Sequence, residues 1–235
     1  MKITLARRVA AEFLGTGFLV ATVVGSGIMA ERLAGGNTAL ALLANTLATG
    51  AALVALILTF GPISGAHLNP VVTLADAFEG GLPWKETPHY ILVQVLGAFS
   101  GAIAAHLMFG LPVISLSHHA RSGWAQMFSE FVATFGLLCV IWGCSRLQPS
   151  TVAFAVGAYI TAAYWFTAST SFANPAVTIG RSLSDTFSGI RPEDIPGFIL
   201  AQLAGGAAAT LLFRWMVPAL PSIAKDIVLP HKLMK

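Results

Sequence analysis

Charge is what this chain has least of. Only 10% of its 235 residues are Asp, Glu, Lys or Arg, against 56% hydrophobic, where a soluble domain carries about 25% charged residues. A protein that must wet its whole surface with water cannot be built from so few, so a lipid solvent is indicated. The net charge of +3 is too diffuse to mark a nucleic-acid partner, and none is expected. Cysteine is nearly absent. Cys139 and Cys144 stand five residues apart in one apolar run and point in different directions on a helix, so they read as small core residues and say nothing of redox compartment. Enzyme motifs are missing as well: no Walker loop, dinucleotide fingerprint or metal-protease helix occurs. No enzyme, cofactor or metal is expected, and His118 and His119, adjacent in one connection, lack further ligands for a metal site.

Long apolar runs are present in their place. A spanning helix needs about 20 mostly apolar residues, and six segments qualify: roughly 8–30, 38–60, 88–109, 125–145, 150–168 and 196–217. The first follows Lys2, Arg7 and Arg8 in the manner of a signal peptide, but Val9 to Ala30 is long enough to span, so it reads as a membrane helix. Placing the N-terminus inside puts Lys2, Arg7, Arg8, Lys85, Arg146, Arg214, Lys225, Lys232 and Lys235 on the cytoplasmic side. Arg32, Arg121, Arg181 and Arg191 fall outside. The asymmetry of positive charge predicts two cytoplasmic termini.

The two halves resemble each other. Ala11-Glu12-Phe13 opens the first span and Ser129-Glu130-Phe131 the fourth; Asn69-Pro70 follows the second and Asn174-Pro175 the fifth. Gln94 and Gly97 in the third match Gln202 and Gly205 in the sixth. Three spans per half is an odd number, so the second half enters the bilayer upside down, and short segments at matching places in such a repeat point to a site at the membrane midplane. Each Asn-Pro reads as an N-cap and first turn of a half-helix. The preceding stretches Gly65–Leu68 and Thr170–Ala173 are expected to run extended and to offer backbone carbonyls, with the Asn69 and Asn174 amides as central donors. Cations are rejected by the two positive half-helix ends.

Ser64-Gly65-Ala66-His67-Leu68-Asn69-Pro70-Val71-Val72-Thr73 and Phe172-Ala173-Asn174-Pro175-Ala176 resemble the paired Asn-Pro-Ala boxes of the aquaporin and glycerol-facilitator family. The resemblance covers nearly the whole chain. It implies an all-α membrane protein of six transmembrane helices plus two half-helices. Residues 1–235 then form one channel domain with inverted repeats at roughly 8–110 and 125–217. It also implies a homotetramer in the inner cell membrane that passes neutral small molecules. In that family Glu12 and Glu130 hold the pore loops and His67 braces its own, while Asp76 and Glu79 read as mouth residues. Val71 departs from the usual Ala and is expected to add bulk beside the pore.

Four filter positions follow from the resemblance by ungapped counting: Thr49, Ala162, Ser171 and Val177, with Tyr164 two residues from Ala162. The family usually has Arg where Val177 stands and an aromatic elsewhere in the set. A filter of these four would be wide, uncharged and partly apolar. Arg181 stands one turn beyond Val177 on the same face; it is either a displaced filter charge or a solvated rim residue paired with Asp185. The missing Arg, with the runs His67–Thr73 and Pro83–Glu86, resembles the aquaglyceroporin-like channels of bacterial arsenic-resistance operons. That resemblance implies passage of arsenite and methylated arsenicals. The alternatives are a generic glycerol and water facilitator, a proton-coupled transporter using Glu12 or Glu130, and an ion channel.

Overall fold

A computed structural model describes residues 3–147 and 149–216. Lys2, Lys225, Lys232, Lys235 and the side chain of Arg146, all assigned above to one side, lie outside the described residues, as does Val217 at the end of the sixth span. The chain runs α1 (Leu5–Leu33), α2 (Thr38–Ser64), α3 (Pro70–Phe78), α4 (Thr87–Phe109), α5 (Trp124–Leu147), α6 (Val152–Phe166), α7 (Pro175–Arg181) and α8 (Ile195–Met216). No strand occurs among the described residues, only an isolated bridge between Ser115 and Ser184. The fold is an all-α membrane fold, with α3 and α7 as the two half-helices.

Among the described residues, five helices are long and apolar enough to cross a bilayer. The expected fifth span is shorter than the rest: α6 has 15 residues, or about 22 Å at the α-helical rise. The turn of 3-10 helix at Pro149–Thr151 adds about 6 Å. α1, at 29 residues, is about 43 Å long and so must tilt or project beyond a core about 30 Å thick.

α1 packs on α4 and α2, α5 packs on α8 and α6, and α2 meets α6 between the halves. Close approach depends on small residues, as it does wherever lipid supplies no hydrophobic drive between helices. A Cβ at Gly97 would run into the Phe13 carbonyl of α1, and one at Gly205 into the Phe131 carbonyl of α5. These two glycines, matched in the sequence repeat, therefore hold equivalent helix crossings.

The face carrying the start of α1 is called proximal below and the opposite one distal. Arg8 pairs with Glu86 at 2.7 Å and Arg214 reaches Glu79 at 3.8 Å on the proximal face. On the distal face the connection between α4 and α5 folds back on the segment after α7: Ser115 and Ser117 N–H groups donate to the Leu183 and Ser182 carbonyls. Cys139 and Cys144 are free thiols, and Cys139 packs against the core.

Candidate functional site

The half-helices meet tip to tip, and each asparagine works twice. Asn69 Oδ1 accepts from the Val71 N–H at 2.9 Å, while its Nδ2 donates across the repeat to the Ala173 carbonyl at 2.7 Å. Asn174 Oδ1 accepts from Ala176 and Val177 N–H groups at 3.0 and 3.3 Å, and its Nδ2 donates to the Leu68 carbonyl at 2.7 Å. A carboxamide nitrogen carries two hydrogens. One on each side is thus fixed by the opposite loop, which leaves a second for a solute. Both asparagines line the same cavity.

Behind each loop lies a buried carboxylate. Glu12 accepts from the His67 and Leu68 N–H groups at 2.9 and 2.7 Å, from Ser64 Oγ at 2.7 Å and from Gln94 Nε2 at 2.8 Å. Glu130 accepts from Phe172 and Ala173 N–H groups at 2.9 and 2.8 Å and from Gln202 Nε2 at 2.6 Å. The same glutamines donate onward to Thr73 and Thr178, each at 2.9 Å, and those hydroxyls donate to the Asn69 and Asn174 carbonyls.

Drawing two successive N–H groups to one carboxylate twists the loops, so the expected extended course needs correction. Gly65, Ala66 and Leu68 have φ of 93°, 46° and 49°, and Thr170, Ser171 and Ala173 have 60°, 49° and 48°. Left-handed backbone costs a non-glycine residue about 1–2 kcal/mol. Charge-assisted hydrogen bonds, about 1.5–3 kcal/mol each, offset it. With the N–H groups turned to the glutamates, the loop carbonyls are left for the opposite side, where residues 65–69 and 171–174 line the cavity.

That cavity has a volume of about 310 Å³ and runs from Ser145 and Ser150 to Arg181. One wall is the two loops. The other is apolar, from Leu19, Val23, Leu137, Val156 and Ile160 among others. Val72 and Val177, each three residues past its asparagine, both line it. A solute moving through keeps hydroxyls against acceptors on one side and carbon against carbon on the other.

Thr49, Ser171 and Val177 line the distal part of this cavity, and Ala162 does not. Ala162 is exposed on the outside of α6. Its expected place is taken by Tyr164, which is buried, lines the cavity and lies 3.2 Å from Thr49 Oγ1. The ungapped count fails because α6 stops at Phe166 and the chain turns before the loop. The hydroxyl of Thr49 donates to the Asn45 carbonyl, so Tyr164 is the donor to Thr49 and its own oxygen remains an acceptor.

Among the site side chains, Val71 is a second correction. It is absent from the cavity wall and packs on Gly206 of α8, where no side chain stands in its way. The third concerns Arg181. It is no solvated rim residue: only 1% of its surface is exposed, and it lines the cavity. Asp185, its expected partner, pairs with His118 at 2.9 Å instead.

His67 Nδ1 lies 3.1 Å from Thr73 Oγ1 and its Nε2 3.6 Å from Asp76, so its ring spans the first half-helix while its loop lines the lumen. Asp76 and Glu79 are buried near the proximal end, neither on the cavity wall. No group of three or more His, Cys, Asp or Glu able to hold a metal occurs among the described residues. On the distal surface, Asp185 holds the His118 pKa above its ordinary value through a hydrogen bond, and His118 lowers that of Asp185. The His119 pKa is lowered, first by burial and then by the Arg121 and Arg181 charges.

Sequence reasoning missed Arg121 and Phe172. The Arg121 guanidinium donates to the Gly189 and Ser169 carbonyls, tying the distal connection to the second loop; burial lowers its pKa to about 10. Both Arg121 and Arg181 lie over the Phe172 ring, at 5.0 and 3.4 Å from its centroid. The one local signal was that Arg121 is the single Asp, Glu, Lys or Arg in the connection 110–123.

Two half-helices, a braced pair of loops and a lumen between two inverted halves define a membrane channel for small solutes. The major intrinsic protein model matches residues 1–148, and the chain belongs to that family. It is 55% identical to "Aquaglyceroporin AqpS" of Rhizobium meliloti (strain 1021) over 220 residues, covering 93% of this chain and 94% of that one. It is 35% identical over 219 residues to "Aquaporin NIP1-4" of Oryza sativa subsp. japonica, covering 88% and 76%. It is 30% identical over 237 residues to the "Probable glycerol uptake facilitator protein" of Thermotoga maritima, covering 88% and 97%. The X-ray structure of the aquaglyceroporin from Plasmodium falciparum superposes with a TM-score of 0.71 at 20% identity, covering 92% of this chain and 99% of that one, a likeness of fold. The protein is thus a multi-pass membrane channel of the major intrinsic protein family, and the relatives it matches are channels rather than enzymes.

Proposed function

We propose that this channel passes uncharged trihydroxides and their methylated forms: arsenite, methylated arsenicals and glycerol, together with water. The observation that carries the reading is Val177, a lumen-facing apolar side chain beside the second asparagine at the position where its family usually has Arg. Neutral arsenite and glycerol present hydroxyls to the loop carbonyls and the asparagine amides. A methyl group in place of a hydroxyl needs an apolar surface, which Val177, Val72 and the Tyr164 ring provide. Tyr164 makes the constriction tighter than four small residues would, and this favours the second reading, a generic glycerol and water facilitator.

Thr49, Ser171, Val177 and Tyr164 form the filter in this proposal, and Asn69 and Asn174 are the central donors. Glu12 and Glu130 serve as braces rather than proton carriers, because each carboxylate is already engaged by two backbone N–H groups and a glutamine. The whole chain acts as one domain. The proximal face is cytoplasmic, the membrane is the inner one, and four copies assemble.

Stopped-flow uptake into proteoliposomes tests the solute. Val177→Arg should cut methylarsenical entry by about tenfold or more, equivalent to ~1.4 kcal/mol, and water entry much less. Equal methylarsenical uptake by wild type and a folded, inserted Val177→Arg would remove the arsenical reading and leave the generic facilitator.

A further inference from the structure

We infer that Arg181 is the selectivity residue that excludes cations from this pore, acting from one helical turn beyond the filter position occupied by Val177. The inference rests on the channel class alone and not on the identity of the solute.

Three observations converge. First, among the described residues lining the cavity, Arg181 is the one permanently charged side chain; the His67 imidazole and the Tyr164 phenol are the other ionisable groups there. Second, its charge is uncompensated. No carboxylate pairs with it among the described residues, and Asp185, four residues on, is taken by His118. Third, its guanidinium is held in place without being used up. The plane sits over Phe172, Nε donates to the Ser188 carbonyl, and Phe172 is itself set edge-on against Phe198 at 5.2 Å. The terminal nitrogens have no protein acceptor and are not buried orphans, so they remain available to the lumen.

A guanidinium keeps its charge at neutral pH, and packing on a ring holds that charge at the lumen wall. In a narrow, partly apolar lumen a charge is screened weakly, so sodium, ammonium and protonated amines are repelled at the distal mouth. An anion that tolerated Arg181 would next meet the loop carbonyls, which repel it. The solutes left are neutral and carry acceptor oxygens, which the free N–H groups of Arg181 can greet. The loss of charge at Val177 then need not make the pore ion-leaky, because size and charge selection are carried by different residues.

The test is sodium and ammonium flux, read as a ratio to glycerol flux, in proteoliposomes containing the full chain. Arg181→Gln should raise the ratio by about tenfold or more. Arg181→Lys, and the double substitution Val177→Arg with Arg181→Gln, should bring it back toward wild type, since each restores a cation to the lumen. A purely structural role would not be rescued by a charge moved one turn away. If Arg181→Gln conducts glycerol and still excludes both cations, or if Arg181→Lys leaks as Arg181→Gln does, the inference is overturned. Should Arg181→Gln fail to insert, phenylglyoxal applied to wild type and to Arg181→Lys decides: leak in wild type alone supports the role, and any other pattern refutes it. A wild-type protein that passes no neutral solute would count against the channel reading, a different result from any of these.

Discussion

Asn69 and Asn174 each donate to a backbone carbonyl of the other's loop, both at 2.7 Å. The centre of the pore is therefore a reciprocal contact between the halves, and each asparagine caps its own half-helix in addition.

Replacing Asn69 or Asn174 with Asp keeps the cap, because Asp is as good an N-cap as Asn, and loses the donor. The new carboxylate would face a carbonyl at hydrogen-bond distance. Glycerol flux should fall by about tenfold, and cation exclusion should weaken. Flux and exclusion both unchanged in well-folded protein would mean that the amides do not face the solute path.

Glu130→Gln replaces a charged acceptor with a neutral one and turns half of it into a donor. The Phe172 and Ala173 N–H groups lose their shared carboxylate, and Gln202 loses its partner. Breaking a buried charged network of this kind costs about 3 kcal/mol, so thermal unfolding in detergent should occur at lower temperature and glycerol flux should drop. Glu12→Gln should behave alike because its loop is held in the same way. A pH gradient should drive no solute accumulation in the wild type. Accumulation against a gradient would show a coupled carboxylate and displace the brace reading.

His118 and Asp185 give a pH-dependent contact on the distal surface. The histidine pKa is raised above its ordinary 6.5 and the aspartate lowered below 3.8. The histidine contribution is full below pH 6.5 and fades as pH rises through the folded-state value. The aspartate contribution is full above 3.8 and fades as pH falls. The pair thus helps most between those values, and only slightly, since both groups are solvent-exposed. Histidine NMR should show His118 titrating above the ordinary value, and Asp185→Asn should bring it back. An unmoved titration would show that the two side chains do not meet.

The fold was readable because its marks occur twice. Asn-Pro, the span glutamates and the glutamine–glycine pairs each repeat, while the bracing by Glu12 and Glu130 was implied by the family resemblance rather than by the repeat. The filter was less readable for a geometric reason. A helix turns about 100° per residue, so the two-residue slip from Tyr164 to Ala162 moves a side chain from the lumen to the outer surface. The left-handed loop residues were invisible because Ala66, Leu68, Thr170, Ser171 and Ala173 are not residues that favour such backbone. Leu68 and Ala173 adopt it with their N–H groups on distant carboxylates, and Ala66 and Ser171 with theirs on the Ser64 and Ser169 hydroxyls. Phe172 gained its role from Arg121 and Arg181, which reach it from elsewhere in the chain, and no local pattern announces such a contact. Val71, a departure that suggested a crowded pore, is absorbed by Gly206 on a different helix.

The acceptors at the middle of the pore are main-chain carbonyls of Leu68 and Ala173, whereas the donors are side chains. No point substitution can delete a carbonyl, so random mutation can strike only one of the two partners in each central bond. The midpoint is thereby robust on one side and brittle on the other. Among variants arising by chance, loss of the central bonds should be traced to Asn69 and Asn174, with neighbouring loop positions freer to drift in side chain while the same oxygens stay in place.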